Sequence, residues 1–206
     1  MLEIAGSLWS VPPAQQRASV ERLAAAGLRR LHWDMTDGRF ARAGGFTAAR
    51  AAEIAGSGGL VSEAHIMATD SAGEVDPWTD FCDLVVVHAE SDNWAEALDR
   101  VIRRGATPGL ALSPGTPASA APADVPVLCM SITPGQAGST LDEAVFDKIC
   151  ALRDASPERR IGLDGGFQRQ YVARAIEAGL DWAVVGTDLF LYDGESRWAD
   201  VLGDSR

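Results

Sequence analysis

The feature that most constrains the fold is an alternation of strand-like runs with helix-like runs, repeated eight times along the chain. The strand-like runs cover residues 2–5, 28–33, 60–65, 84–88, 107–112, 126–131, 160–164 and 182–186. Strict alternation of strands and helices predicts a parallel sheet covered by helices. Eight such units in 206 residues predict an α/β fold, a closed (β/α)8 TIM barrel, in one domain over residues 1–206.

The segments between the strands have apolar residues at helical spacing, and three of them end at a glycine. Residues 12–26 precede Gly27, residues 92–104 precede Gly105, and residues 168–178 precede Gly179. Glycine directly after a helix supplies the left-handed residue that closes it. Further helices are expected over residues 140–155 and, as short ones, over residues 76–81 and 117–122.

An open, doubly wound sheet is the alternative architecture. It would place a Gly-x-Gly-x-x-Gly turn after the first strand, because such sheets bind dinucleotides there. The first strand here runs into Gly6-Ser7-Leu8-Trp9-Ser10, which lacks that pattern. The sequence therefore favours the barrel.

Charge and composition exclude several classes of partner. A net charge of −11 disfavours nucleic acid and anionic membranes, which both select a basic face. It does not exclude a phosphorylated small molecule, because backbone N–H groups at helix N-termini bind phosphate without basic side chains. The chain has no apolar run long enough to span a bilayer and no signal peptide, so a cytoplasmic location is expected. Cys82, Cys129 and Cys150 are far apart, which is typical of reduced thiols.

Lysine chemistry is disfavoured too. Lys148 is the single lysine, and the pattern places it on the helix predicted over residues 140–155, away from the strand ends. A Schiff-base lysine should instead project into the barrel.

The three histidines, His32, His65 and His88, all lie at or just past the end of a strand-like run. Functional groups of parallel α/β proteins lie at the carboxyl ends of strands. Asp34 shares a strand face with His32 because side chains repeat every two residues, and Asp164 ends the seventh run. Two imidazoles and two carboxylates predict a divalent metal site that suits Zn, Mn, Fe or Co better than Ca or Mg.

The two aspartates suggest a reaction. If Asp34 and Asp164 face a substrate from strands two and seven, one can remove a proton from carbon and the other can return a proton to the opposite face. Such a pair suits inversion at a carbon next to a carbonyl. The alternative is that both aspartates are ligands only, with a hydrolytic water between them.

Glycine-rich turns follow three neighbouring strands near the end of the chain. They contain Gly135 and Gly138 after strand six, Gly165-Gly166 after strand seven and Gly186-Thr187 after strand eight. The last loops of a TIM barrel commonly form a phosphate site, so we expect one here.

Several motifs together resemble the ribulose-phosphate 3-epimerase family, in the family's order, from Ser7 to about Phe190. They are Ser7-Leu8-Trp9-Ser10, His32-Trp33-Asp34-Met35-Thr36-Asp37-Gly38, His65-Ile66-Met67, Val87-His88-Ala89-Glu90, residues 112–117, residues 130–135, Asp164-Gly165-Gly166 and Gly186-Thr187. The resemblance implies a metal-dependent epimerase that inverts C3 of D-ribulose 5-phosphate to give D-xylulose 5-phosphate. It implies one divalent ion on His32, Asp34, His65 and Asp164, with Asp34 as proton acceptor and Asp164 as proton donor.

The resemblance also implies which residues contact the substrate and how the protein assembles. The implied substrate-binding residues are Ser7, Met67, Met130, Gly135, Gln136, Ala137, Gly138, Gly165, Gly166, Gly186 and Thr187. His88 occupies a shared position without being a ligand, which indicates a supporting role. A homo-oligomer, either a dimer or a hexamer, is expected.

The chain departs from the family pattern in the pocket. Thr36 replaces a methionine, Arg39 begins a segment that differs over residues 39–43, Gln136 lies in an altered phosphate loop, and Asp188 replaces a small apolar residue. Arg39 and Arg42 either compensate the charge of Asp188 or are surface arginines. These departures leave three alternatives open: the same chemistry on another ketose phosphate such as a ketohexose 6-phosphate, a non-catalytic ligand-binding barrel, and a metal-free sugar-phosphate isomerase.

Overall fold

Eight parallel strands close into a barrel in order of sequence, as the alternation predicts. A computed structural model describes residues 2–56, 59–190 and 193–203 of the chain. The strands are β1 (Glu3–Ser7), β2 (Arg30–Thr36), β3 (Val61–Met67), β4 (Leu84–His88), β5 (Thr107–Leu112), β6 (Val127–Met130), β7 (Ile161–Asp164) and β8 (Trp182–Val185). The (β/α)8 fold class is therefore confirmed.

Helices lie between the strands and outside the barrel. They are α1 (Gln16–Ala26), α2 (Ala48–Ala55), α3 (Asp76–Thr79), α4 (Trp94–Arg103), α5 (Val145–Ala155), α6 (Val172–Glu177), α7 (Thr187–Phe190) and α8 (Gly194–Gly203). Short 3-10 turns cover Pro13–Gln15, Ser71–Gly73, Ala118–Ala120 and Arg169–Tyr171. Gly27, Gly105 and Gly179 have φ angles of 115°, 87° and 80°, so the predicted left-handed residues after these helices are confirmed.

The predicted element bounds were wrong in several places. The short helix expected over residues 117–122 is only a 3-10 turn over Ala118–Ala120, and the helices expected from residues 12 and 168 begin as α-helices at Gln16 and Val172. Strands β2 and β3 continue to Thr36 and Met67, so Asp34 and His65 lie within strands and not at their ends. The helix expected from residue 140 begins at Val145. The segment before it packs against Gly166, where a Cβ would lie 2.5 Å from the nitrogen of Leu141.

The barrel interior is filled by alternate residues of the strands. At the amino ends of the strands, the Trp182 indole covers Gly162, where a Cβ would lie 2.2 Å from the ring. Above it, Leu84, Val86 and Leu128 pack into one buried cluster that includes Met130. These apolar layers form a floor, so the space for a ligand lies at the carboxyl ends of the strands.

Strand register brings the candidate residues together. His32 pairs with Glu63, and two residues further along Asp34 pairs with His65. Ser7 pairs with His32 from the other side. Because side chains of a strand alternate between two faces, these residues all face the barrel interior.

Within the described ranges, no helix combines the length and apolar character needed to cross a bilayer. Cys82 and Cys129 are buried and Cys150 is exposed, and all three are free thiols. Lys148 lies on α5, but its ammonium donates to the carbonyl oxygens of Ser113 (2.7 Å) and Pro114 (3.0 Å) just past β5. The expectation that Lys148 lies away from the strand ends was therefore wrong. Lys148 does not line the cavity described below.

Candidate active site

Four side chains converge at the carboxyl end of the barrel. One ligand atom from each of His32, Asp34, His65 and Asp164 lies within 4.8 Å of the other three. The Oδ1 atom of Asp34 is 3.2 Å from His32 Nε2 and 3.2 Å from His65 Nδ1. The Oδ2 atom of Asp164 is 3.4 Å from His65 Nδ1 and 4.0 Å from His32 Nε2. The structure therefore assembles the quartet that the sequence selected.

The charges in this cluster suit a divalent cation. Burial acts to lower the pKa of His32, but the neighbouring carboxylates of Asp34 and Glu63 raise this pKa well above the usual value. Burial likewise opposes charge on His65, and Asp164 and Asp34 raise its pKa. The pKa of Asp34 is lowered, because the two imidazoles outweigh the effect of burial. The paired carboxylates thus favour positive charge between them, which is what a divalent metal ion would supply.

Glu63 fixes the orientation of the His32 ring. Its buried carboxylate lies 2.7 Å from His32 Nδ1 and accepts from the indole of Trp182 at 3.2 Å. It also accepts from Arg30 at 3.4 Å, and Arg30 contacts Glu3 at 2.9 Å. This arrangement leaves Nε2 of His32 free to face the metal position. The sequence analysis missed Glu63, although its place two residues before His65 on an inward face was the signal for it.

His88 holds His65 in a similar way. The Nε2 atoms of the two rings are 2.8 Å apart, and His88 Nδ1 lies 3.0 Å from Glu90. Burial lowers the pKa of His88 to about 4, so the ring is neutral near pH 7. Glu90 in turn accepts from the backbone of Ser113 at 3.0 Å and from the hydroxyl of Thr116. His88 therefore contacts a candidate ligand without joining the quartet.

Asp34 and Asp164 both border one cavity of about 460 Å³. The hydroxyl of Ser7 donates to Oδ2 of Asp34 at 2.8 Å, so Asp34 contacts the imidazoles with one oxygen and Ser7 with the other. Met67 and Met130 line this cavity too. The two carboxylates come from β2 and β7, so a small molecule in this cavity can contact both of them.

Loop glycines and the residues beside the aspartates line the same cavity. All eleven residues implied to bind substrate line this one cavity: Ser7, Met67, Met130, Gly135, Gln136, Ala137, Gly138, Gly165, Gly166, Gly186 and Thr187. Gly135, Gly138, Gly165 and Gly166 all have positive φ, between 62° and 111°. At Gly165 a Cβ would lie 2.6 Å from Ile132. Glycine is needed there both for the turn and for close packing.

The loop after β2 covers the side of the site. Burial acts to raise the pKa of Asp37, but N–H donors of Thr69, Phe40 and Arg39 hold this pKa at about 2. The donor distances are 2.7 Å, 2.8 Å and 2.8 Å. The ring of Phe40 lies 4.7 Å from that of His88. This loop therefore packs directly against the residues that support the quartet.

The altered pocket residues do not all reach the cavity. Gln136 and Asp188 line it, whereas Thr36 and Arg39 do not. Thr36 instead closes the loop by donating to the carbonyl oxygen of Arg42 at 2.9 Å. Arg39 and Arg42 are exposed, so they are surface arginines and do not compensate Asp188. The residue that pairs with Asp188 is Arg197 on α8, an element that the sequence analysis missed.

Comparison with known proteins agrees with this geometry. The model of the ribulose-phosphate 3 epimerase family matches residues 3–190. The cytoplasmic isoform of ribulose-phosphate 3-epimerase from Oryza sativa is 29% identical over 198 residues, covering 91% of this chain and 87% of that protein. The ribulose-phosphate 3-epimerase of Treponema pallidum is 28% identical over 197 residues, covering 91% and 90%.

Solved structures share the fold at lower identity. The 3-hexulose-6-phosphate synthase of Salmonella typhimurium superposes over 100% of both chains with a TM-score of 0.72 and 16% identity. At that identity the similarity establishes the architecture alone.

Proposed function

The chain belongs to the ribulose-phosphate 3-epimerase family and is an isomerase-class enzyme, and we propose that it inverts C3 of D-ribulose 5-phosphate to give D-xylulose 5-phosphate. The observation that supports this most is the pairing of Asp34 and Asp164. They stand on separate strands, contact the same imidazole of His65 and line one cavity. Inversion requires a proton to leave one face of a carbon and another to arrive on the opposite face, which is work for two such groups.

His32, Asp34, His65 and Asp164 would hold one divalent ion, and Zn, Fe, Mn or Co suits two imidazoles and two carboxylates. A bound ion would supply a Lewis acid, whose chemistry favours negative charge on oxygen. Glu63 and His88 each bind the outer nitrogen of one imidazole, so they fix which nitrogen faces the ion.

The proton steps fall to the two aspartates. Asp34 accepts the C3 proton while its other oxygen stays hydrogen-bonded to Ser7, which limits rotation of the carboxylate. The electron pair of the broken C–H bond passes to the carbonyl oxygen and gives an enediolate. Asp164 then donates a proton to the opposite face of C3, and the two roles exchange in the reverse direction. Met67 and Met130 line the cavity beside the planar intermediate and exclude water from it.

The glycine-lined end of the cavity would take the phosphate. Backbone N–H groups of Gly135 to Gly138, Gly165-Gly166 and Gly186-Thr187 can converge on an anion because no side chains intervene at the glycines. A phosphate fixed at this end holds C3 between the aspartates, and it distinguishes the substrate from an unphosphorylated ketose.

A panel of ketose phosphates on metal-loaded protein tests the function. We expect D-ribulose 5-phosphate to be converted with the highest kcat/KM, and Asp164→Asn to abolish turnover. Asp80→Asn is the matched control, because this exposed aspartate pairs with Arg104 and neither residue lines the cavity. Preference for a ketohexose 6-phosphate would reassign the substrate, and no turnover with retained ligand binding would indicate a non-catalytic barrel. Activity that survives metal chelation would indicate a metal-free isomerase.

Cytoplasmic location and assembly as a dimer or hexamer complete the proposal. Its support is the family relationship, including a relative described as a cytoplasmic isoform. Light scattering on the purified protein gives the number of subunits.

A further inference from the structure

One cationic side chain reaches the cavity. Among the described residues that line it, only Arg197 is basic, whereas Asp34, Asp164, Asp188 and Asp193 contribute carboxylates. A phosphate ester carries up to two negative charges at neutral pH, so its entry into an acidic cavity requires local positive charge. We propose that Arg197 binds the phosphoryl group of the substrate, an inference that rests on the proposed phosphorylated ligand.

Arg197 is held in place by Asp188. Its Nη2 atom forms an ion pair with the Asp188 carboxylate and donates to the backbone oxygen of Asp188 at 3.3 Å. Within the described ranges these are the hydrogen bonds and the ion pair of its guanidinium, and the Asp193 carboxylate adds an attraction that helps to raise its pKa. A guanidinium has five N–H donors, so the Nε and Nη1 edges remain for an anion.

Asp188 is itself fixed by neighbours. Its Oδ2 atom accepts from the indole of the buried Trp198 at 3.0 Å and from the backbone of Arg169 at 3.2 Å. With both oxygens engaged by donors, this carboxylate is compensated and does not repel a phosphate at full strength. An acidic residue at this position therefore orients a cation and does not oppose the ligand.

A chain of contacts connects Asp34 to Arg197 along residues that line the cavity. Ser7 contacts Asp34 at 2.8 Å, and its backbone oxygen lies 3.6 Å from where a Cβ of Gly186 would be. Thr187 and Asp188 follow Gly186 in the chain and also line the cavity, and Asp188 pairs with Arg197. A ligand along these residues would place its reacting carbon near Asp34 and its phosphate near the guanidinium.

The side chain of Arg197 is 41% exposed, so its contribution is moderated by solvent. We expect about a tenfold loss of phosphate affinity when it is removed, at the low end for a hydrogen bond to a charged group. Within the substrate, Arg197 would contact the phosphoryl group and not the reacting carbon, so KM should rise while kcat changes little.

Calorimetric titration with inorganic phosphate tests the proposal without turnover. We compare the wild-type protein with Arg197→Gln and Arg197→Lys at low ionic strength. Arg22→Gln is the matched control, because it removes the same charge. Arg22 lies on α1, pairs with Glu195 of the helix that carries Arg197, and does not line the cavity. We expect about tenfold weaker binding for R197Q, a smaller loss for R197K and no change for R22Q.

Phosphate affinity of R197Q within twofold of wild type would overturn the proposal, as would an equal loss in R22Q. Wild-type protein that binds no phosphate would overturn both this proposal and the phosphorylated ligand on which it rests. A selective loss in R197Q, in a protein that does not turn over D-ribulose 5-phosphate, would support Arg197 and reject only the proposed reaction.

Discussion

Replacing Glu63 by glutamine tests how the metal ligands are held. The change preserves the shape of the side chain and removes its charge. In the wild-type protein Oε1 of Glu63 lies 2.7 Å from His32 and 3.2 Å from Trp182. The amide oxygen of glutamine can keep both contacts, but the new NH2 group then faces Arg30. In the variant, the glutamine NH2 group and the Arg30 guanidinium are both donors, so the hydrogen bond between residues 63 and 30 is lost. Among these partners, Arg30 then keeps only Glu3 as an anion.

The size of the effect follows from these contacts. A hydrogen bond to a charged group contributes about 1.5–3 kcal/mol, and Arg30 retains one partner, so we expect a loss of about 2 kcal/mol in the free energy of unfolding. For a chain of this length that lowers Tm by about 4–8 °C. The imidazole also loses its charged acceptor, which should weaken metal binding by about 10–100-fold.

Two measurements separate the effects. Thermal unfolding of the metal-free protein gives Tm, and competition with a chelator gives the Zn²⁺ or Mn²⁺ affinity. Glu53→Gln is the control, because Glu53 is exposed and pairs with Arg17 and Arg50 at the surface. Metal affinity of Glu63→Gln within twofold of wild type would refute the argument that Glu63 orients His32.

Three further predictions concern the cavity and its loops. Gly165→Ala should lower the free energy of unfolding by about 2 kcal/mol or more, because φ is 111° and the new Cβ would lie 2.6 Å from Ile132. Unfolding in urea measures this loss, and an unchanged midpoint would contradict the account. Asp37 has a folded-state pKa of about 2, below its unfolded value of about 3.9, so its stabilising effect is complete above about pH 4 and is lost as pH falls toward 2. Asp37→Asn should therefore show a flatter Tm profile between these pH values than wild type, and parallel profiles would exclude that role. Ser7→Ala should reduce kcat/KM about tenfold with metal affinity retained, because the hydroxyl donates to the Asp34 oxygen that does not face the imidazoles. Equal kcat/KM in the wild type and the variant would show that Ser7 has no part in the reaction.

Much of the fold follows from local signals. Eight strand-like runs and glycines such as Gly27 and Gly105 determine the architecture, because strand periodicity and left-handed helix ends depend on nearby residues. The bounds were less predictable. The strand containing His32 and Asp34 extends to Thr36 because it pairs with β3 as far as Met67, and this pairing is a tertiary contact.

The site divides in the same way. His32, Asp34, His65 and Asp164 were found because the rare histidines and two aspartates lie toward the carboxyl ends of strands, and parallel strands bring such positions to one end of a barrel. Glu63 was missed because its place two residues before His65 indicates only that it faces inward, whereas its role depends on the contacts with His32 and Arg30.

The C-terminal helix shows a further limit of sequence reasoning. Helix α8 and its Arg197 follow the last recognised motif, and no local pattern connects Arg197 to Asp188 nine residues earlier. That contact depends on how α8 packs against the end of the barrel, with Trp198 buried beside Asp188.

Hydrogen exchange at C3 tests the central claim most directly. Metal-loaded protein is incubated with D-ribulose 5-phosphate in D2O, and deuterium at C3 of substrate and product is followed by NMR, beside Asp34→Asn and Asp164→Asn. The account predicts that D-xylulose 5-phosphate appears with solvent deuterium at C3, and that neither variant forms it. Product that retains its original C3 hydrogen, or an unimpaired Asp164→Asn variant, would contradict inversion by two aspartates on opposite faces.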